Sequence, residues 1–76
     1  MLINITVESG GRSQNIRIDN GQKIGEGLSV LRKSGKLSGF SKPDYFHSQL
    51  NEKLVSAYKT FAEEQIFDGD ILTSIE

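Results

Sequence analysis

Cysteine is absent from this chain, and proline and histidine occur once each. Without cysteine, no disulfide or thiolate-bound metal can supplement the core, and the composition fits a reducing compartment. Apolar runs extend only a few residues, too short for a transmembrane helix. Met1-Leu2-Ile3-Asn4 has neither a basic n-region nor an apolar h-region, so no secretory leader is expected. Patterns for catalysis are also missing. The single histidine, His47, has no serine or cysteine nucleophile motif around it and reads as a solvent-facing structural residue. Asp68-Gly69-Asp70 opens like a calcium loop, but no glutamate completes the required spacing, and turn chemistry explains it better. Glu63 and Glu64 are adjacent, so on a helical turn they diverge and do not share a proton. Ser9-Gly10-Gly11 and Gly25-x-Gly27 lack the downstream helix and the lysine of a phosphate loop. No enzymatic activity, cofactor or metal is therefore expected.

What remains suits a small globular domain. Hydrophobic residues make up 36% of the 76 residues and charged residues 25%, which is more than a disordered chain carries. Residues 1–76 read as one domain, with no repeat, linker or low-complexity tract. A domain of this size buries only about 60% of its unfolded surface, so each buried contact matters. The net charge of −1 argues against a strong general affinity for nucleic acid. The charge is unevenly spread. Arg32, Lys33, Lys36 and Lys42 fall between Gly27 and Pro43, where there is no acid, whereas Asn51–Glu76 holds six acids and two lysines. The four basic residues form a candidate patch for nucleic acid or anionic lipid, with binding that weakens steeply with salt. The plainer reading is a solvated surface with loop charges.

The organising stretch is the last nineteen residues. Asp68-Gly69-Asp70 predicts a tight turn, in which glycine supplies a positive φ and the aspartates bond nearby amides. Ile71-Leu72-Thr73-Ser74-Ile75 then reads as a strand. A terminal strand entered by a tight turn is expected in mid-sheet, paired on both sides. At the other end, Leu2–Glu8 alternates, with Ile3, Ile5 and Val7 on one face. Ser9–Ser13 reads as a hairpin loop, and Gln14–Asp19 alternates again with Ile16 and Ile18 inward. From Gln22 to about Ser34 the period changes, and Ile24, Leu28 and Leu31 share one helical face, flanked by Val30. Asn20 or Asp19 is the expected cap, and Gly35 the expected C′ residue. Gly25 and Gly27 each cost roughly 1 kcal/mol in a helix interior, so Gly27 points to a close approach of helix to sheet. Gly35–Asp44 reads as a loop with Leu37 and Phe40 tucked onto the core edge. Tyr45–Gln49 reads as a third strand, Leu50–Lys53 as a turn, and Leu54-Val55 as a short fourth strand or bridge. Thr60–Glu64 reads as a helical turn with a capping box between Thr60 and Glu63, and Ile66 anchors the chain before the Asp-Gly-Asp turn.

One helix must cover one face of a mixed sheet to bury its stripe. The predicted fold is therefore α+β, with a four- to five-stranded mixed sheet and one main helix packed on one face. With the last strand parallel to the first, this is the β-grasp or ubiquitin-like architecture. The opening strand with Ile3, Ile5 and Val7, the Ile24-Leu28-Leu31 helix, and Phe61-x-x-x-x-Ile66-x-Asp68-Gly69-Asp70-Ile71-Leu72 carry a resemblance along the whole chain. It resembles the YukD/EsaB-like small ubiquitin-like proteins of bacterial type VII secretion systems. The C-terminal motif is shared by many β-grasp proteins. The resemblance implies a non-catalytic, cytoplasmic module that contacts a secretion ATPase or membrane component. The chain ends Ser74-Ile75-Glu76 without the Gly-Gly of ubiquitin and the sulfur carriers, so conjugation and sulfur transfer are not expected. A small regulatory subunit of a multicomponent enzyme such as an oxygenase is the alternative, as is a sulfur-carrier-like protein without its tail.

The resemblance also implies a recognition face on the side of the sheet away from the helix. Leu2, Thr6 and His47 are expected there, with one register of the last strand. If Leu72 faces the core, as the family pattern implies, Ile71 and Ile75 join them. Leu2 with Ile71 or Ile75 would then form an apolar patch beside His47. The alternative is a scatter of exposed apolar residues, which is ordinary on a protein surface.

Overall fold

The computed structural model describes residues 1–33, with side chains to residue 30, and residues 44–75. The elements are β1 (Leu2–Ser9), β2 (Arg12–Asp19), α1 (Ile24–Lys33), β3 (Tyr45–Ser48), β4 (Lys53–Ser56) and β5 (Ile71–Ile75). The strands form one sheet in the order β2-β1-β5-β3-β4. The fold is thus α+β, a five-stranded mixed sheet with one short helix.

Alternation builds the opening hairpin. Ile3, Ile5 and Val7 of β1 and Ile16 and Ile18 of β2 are all buried, and the two strands pair antiparallel from Leu2↔Asp19 to Ser9↔Arg12. The connection is tighter than the five-residue loop read from the sequence. Only Gly10 and Gly11 lie outside the strands, and both have positive φ, at 56° and 80°. Two such residues make the turn whose twist matches that of its strands.

β5 lies in mid-sheet, as its sequence predicts. It pairs parallel to β1, with Thr6↔Ile71 and Val7↔Leu72, and antiparallel to β3, with His47↔Thr73 and Tyr45↔Ile75. The turn that feeds it joins three strands. The Asp68 side chain accepts the Asn4 amide at 2.6 Å, and the Gly69 amide donates to the Asn4 carbonyl at 2.7 Å. Asp70 is fully buried. Its carboxyl group accepts the Ser48 hydroxyl at 2.5 Å and the amides of Leu50 and Ile71 at 3.0 and 2.7 Å. The Ser48 oxygen in turn accepts from the Asn51 side chain, which also reaches the Gln65 carbonyl. Buried polar groups are costly unless bonded. Among the described residues, no buried side-chain polar atom lacks a partner.

The helix begins at Ile24, two residues later than its sequence pattern, and its start is not capped by Asn20 or Asp19. The Asp19 carboxyl instead accepts the Gly21 amide at 2.9 Å and the N-terminal ammonium at 3.4 Å. Those contacts, the Gly21 bond foremost, hold its pKa below the usual aspartate value. The orphan amides of the first turn find backbone partners elsewhere. Ile24 donates to the Lys59 carbonyl at 2.9 Å and Gly25 to the Ala57 carbonyl at 2.8 Å. Both helical glycines have a packing reason. A Cβ at Gly27 would lie 2.6 Å from the Ile18 Cδ1, and one at Gly25 would lie 3.0 Å from the Ala57 carbonyl oxygen. The close approach expected at Gly27 is therefore present, and Gly25 shares it. Ile24 and Leu28 join the strand residues, Phe61 and Ile66 in one buried cluster. The expectations for Leu31, Gly35, Leu37 and Phe40 lie outside the described side chains.

The helical turn after Thr60 carries its capping box. The Thr60 amide donates to the Glu63 carboxyl at 2.9 Å, and the Glu63 amide donates to the Thr60 hydroxyl at 3.0 Å. It ends in a Schellman arrangement. Gln65 has φ +58°, its amide bonds the Ala62 carbonyl, and the Ile66 amide bonds the Phe61 carbonyl. Phe61 and Ile66, the apolar pair of this motif, are both buried.

Candidate functional site

Strand pairing determines which candidate residues meet on the helix-free face. Phe46, Val55 and Leu72 point to the core. Their neighbours Tyr45, His47, Leu54, Ile71, Thr73 and Ile75 therefore lie on the opposite face. Across the strands, Leu54, His47 and Thr73 form one row. Ser56, Tyr45 and Ile75 form the next. Directly opposed side chains in such rows have Cβ atoms about 5 Å apart. Tyr45, Leu54 and Ile75 are 53%, 57% and 43% exposed, so an apolar and aromatic cluster surrounds the half-buried His47.

The expected docking residues divide between two regions of this face. His47 and Ile75 belong to the cluster. Ile71 pairs with Thr6, two residues farther along, where the Asn15 side chain donates to the Thr6 hydroxyl at 3.4 Å. Leu2 is exposed on the same face, but it does not sit beside Ile71 or Ile75. Because β1 and β5 run parallel with Thr6 opposite Ile71, Ile75 is level with a point eight residues beyond Leu2, about 26 Å along the strands. The patch of Leu2 with Ile71 or Ile75 is thus replaced by one of Ile75 with Tyr45 and Leu54. These last two residues were not among the sequence-based candidates. Their signal was the alternation Tyr45-Phe46-His47 and Leu54-Val55, which assigns outer positions once Phe46 and Val55 point inward.

Polar groups border the cluster. The Thr73 hydroxyl donates to Glu8 at 3.3 Å, and the Tyr58 hydroxyl donates to Asp44 at 2.6 Å. That bond, and the nearby negative charge it reflects, raise the Tyr58 pKa above the usual tyrosine value. The phenol thus stays a neutral hydrogen-bonding group. The surface combines large apolar contacts with fixed polar partners, a composition suited to a protein surface. Among the described residues, no cluster of histidine, aspartate and glutamate could hold a metal ion. Asp68 and Asp70 spend their oxygens on the amides of Asn4, Leu50 and Ile71 and on the Ser48 hydroxyl. Lys36 and Lys42 of the basic patch, and the side chains of Arg32 and Lys33, lie outside the described residues. No described helix is long and apolar enough to cross a membrane.

No protein-family model matches this sequence, and no curated protein is significantly similar to it.

Proposed function

We propose that this chain is a non-catalytic β-grasp, ubiquitin-like interaction module, working by contact as an accessory component of a type VII secretion system. The fold part of this reading is supported by the central parallel pair β1–β5 and by the single helix whose buried residues cover one sheet face. The secretion part rests on the sequence resemblance carried by the opening strand, the helix stripe and the Phe61–Leu72 segment. The observation that carries a binding role is the cluster of Tyr45, Leu54 and Ile75 around His47, three large exposed side chains on adjacent strands. Such side chains supply most of the binding energy in protein interfaces.

The test is capture of partners from the native host with the tagged chain and with its Leu54→Asp/Ile75→Asp variant. The wild type is expected to retain a membrane-bound secretion ATPase, and the variant to lose it while keeping the wild-type circular dichroism. Retention by both forms would remove the cluster from the interface. Recovery of oxygenase subunits alone would replace the secretion role by a regulatory one.

A further inference from the structure

The two edges of the sheet are not alike. At β4, the Ala57 amide bonds the Asp44 carbonyl, so odd-numbered residues face β3 and Leu54 and Ser56 face outward. Ser56 is already closed. Its amide donates to the Glu64 carboxyl at 2.7 Å and its carbonyl accepts the Lys59 amide at 3.3 Å.

At β2, the Asn20 amide bonds the Met1 carbonyl at 2.9 Å. With the register Leu2↔Asp19, the even-numbered residues of β2 bond β1. The amides and carbonyls of Ser13, Asn15 and Arg17 point away from the sheet. The Gln14 side-chain amide donates to the Asn15 carbonyl at 3.2 Å, where an added strand would place an N–H group. Beside this edge, Leu2, Ile18, Gly27 and Val30 line a depression of about 370 Å³ with Arg17 and Gln22. Leu2 and Val30 are 55% and 59% exposed. The nearby charge is positive. Arg17 and Lys23 are exposed, while the neighbouring acid Asp19 is held by the Gly21 amide and the N-terminus.

We propose that β2 is a docking edge for an extended peptide that alternates acidic and apolar residues. Its backbone continues the ladder at Ser13, Asn15 and Arg17. Its acidic side chains lie on the outer face near Arg17. Its apolar side chains lie on the helix side, one of them in the depression beside Val30. This edge is separated from the Tyr45–Leu54 cluster by β1 and β5, so it stands independently of the secretion role.

The test uses the isotope-labelled chain and an eight-residue peptide of alternating valine and glutamate, followed by amide hydrogen exchange. Saturable binding is expected, with slowed exchange at Ser13, Asn15 and Arg17. Affinity is expected to fall at least tenfold in Arg17→Glu and to weaken with salt, and a valine–lysine peptide is expected not to bind. Absence of protection at these amides, or protection confined to the Leu54 region, would overturn the assignment. Protection of the same amides in concentrated protein without peptide would also overturn it, in favour of pairing between two copies of the chain.

Discussion

At the scale of single residues, Asp70 carries more of the structure than any other polar side chain described. It sits in a turn, yet it is buried and satisfies two amides and a hydroxyl from three segments. Replacing Asp70 by alanine leaves the Ser48 hydroxyl and the Leu50 amide without their partner, and each such loss costs about 1–3 kcal/mol. Asp70→Ala is therefore expected to lower the unfolding free energy by roughly 3 kcal/mol or more, a large share for a domain of this size. Urea denaturation measures it, and a loss below about 1 kcal/mol would show that water substitutes for the carboxyl. The sequence marked Asp68 and Asp70 alike as turn residues. What separates them is tertiary. Asp68 bonds the first strand from an exposed position, and Asp70 is enclosed by the β3–β4 connection, whose position no local pattern specifies.

At the scale of elements, the turn after Thr60 shows two separable terms. Gln65 holds a left-handed conformation at φ +58°, which a side chain disfavours and glycine accepts. Gln65→Gly is expected to stabilise the fold by about 0.5–1 kcal/mol after allowing for glycine's greater unfolded entropy. A lower melting temperature in this variant would contradict the Schellman geometry. The other term is electrostatic. The bonds from Thr60 hold the Glu63 pKa below the usual glutamate value. A depressed folded pKa contributes stability above the unfolded value, near pH 4.5, and loses it as pH falls through the folded value. Glu63→Ala is therefore expected to have a lower melting temperature than wild type at pH 7, with the gap closing below pH 4.5. A gap independent of pH would assign the effect to packing.

The elements were unequally legible in the sequence. Both hairpin strands could be read because Ile3, Ile5, Val7, Ile16 and Ile18 alternate without interruption. The start of the helix could not, because its cap is made of the carbonyls of Ala57 and Lys59, more than thirty residues away. The glycines that weaken the helix locally are explained by the same long-range contacts, Gly27 against Ile18 and Gly25 against Ala57.

At the scale of the molecule, the sheet order decides which exposed side chains are neighbours. Leu2 and Ile75 share a face but occupy opposite ends of it, because the first and last strands are parallel. Tyr45 and Leu54 enter the candidate site through cross-strand register alone. The composition of the binding face was thus partly readable from alternation, while its shape required the pairing. The most direct test of the proposed role is titration of the isotope-labelled chain with the cytoplasmic region of the host's type VII secretion ATPase, followed by backbone amide shifts. Saturable shifts centred on Tyr45, His47, Leu54 and Ile75 are the expected result. Absence of saturable binding, or shifts that leave those four residues unmoved, would contradict it.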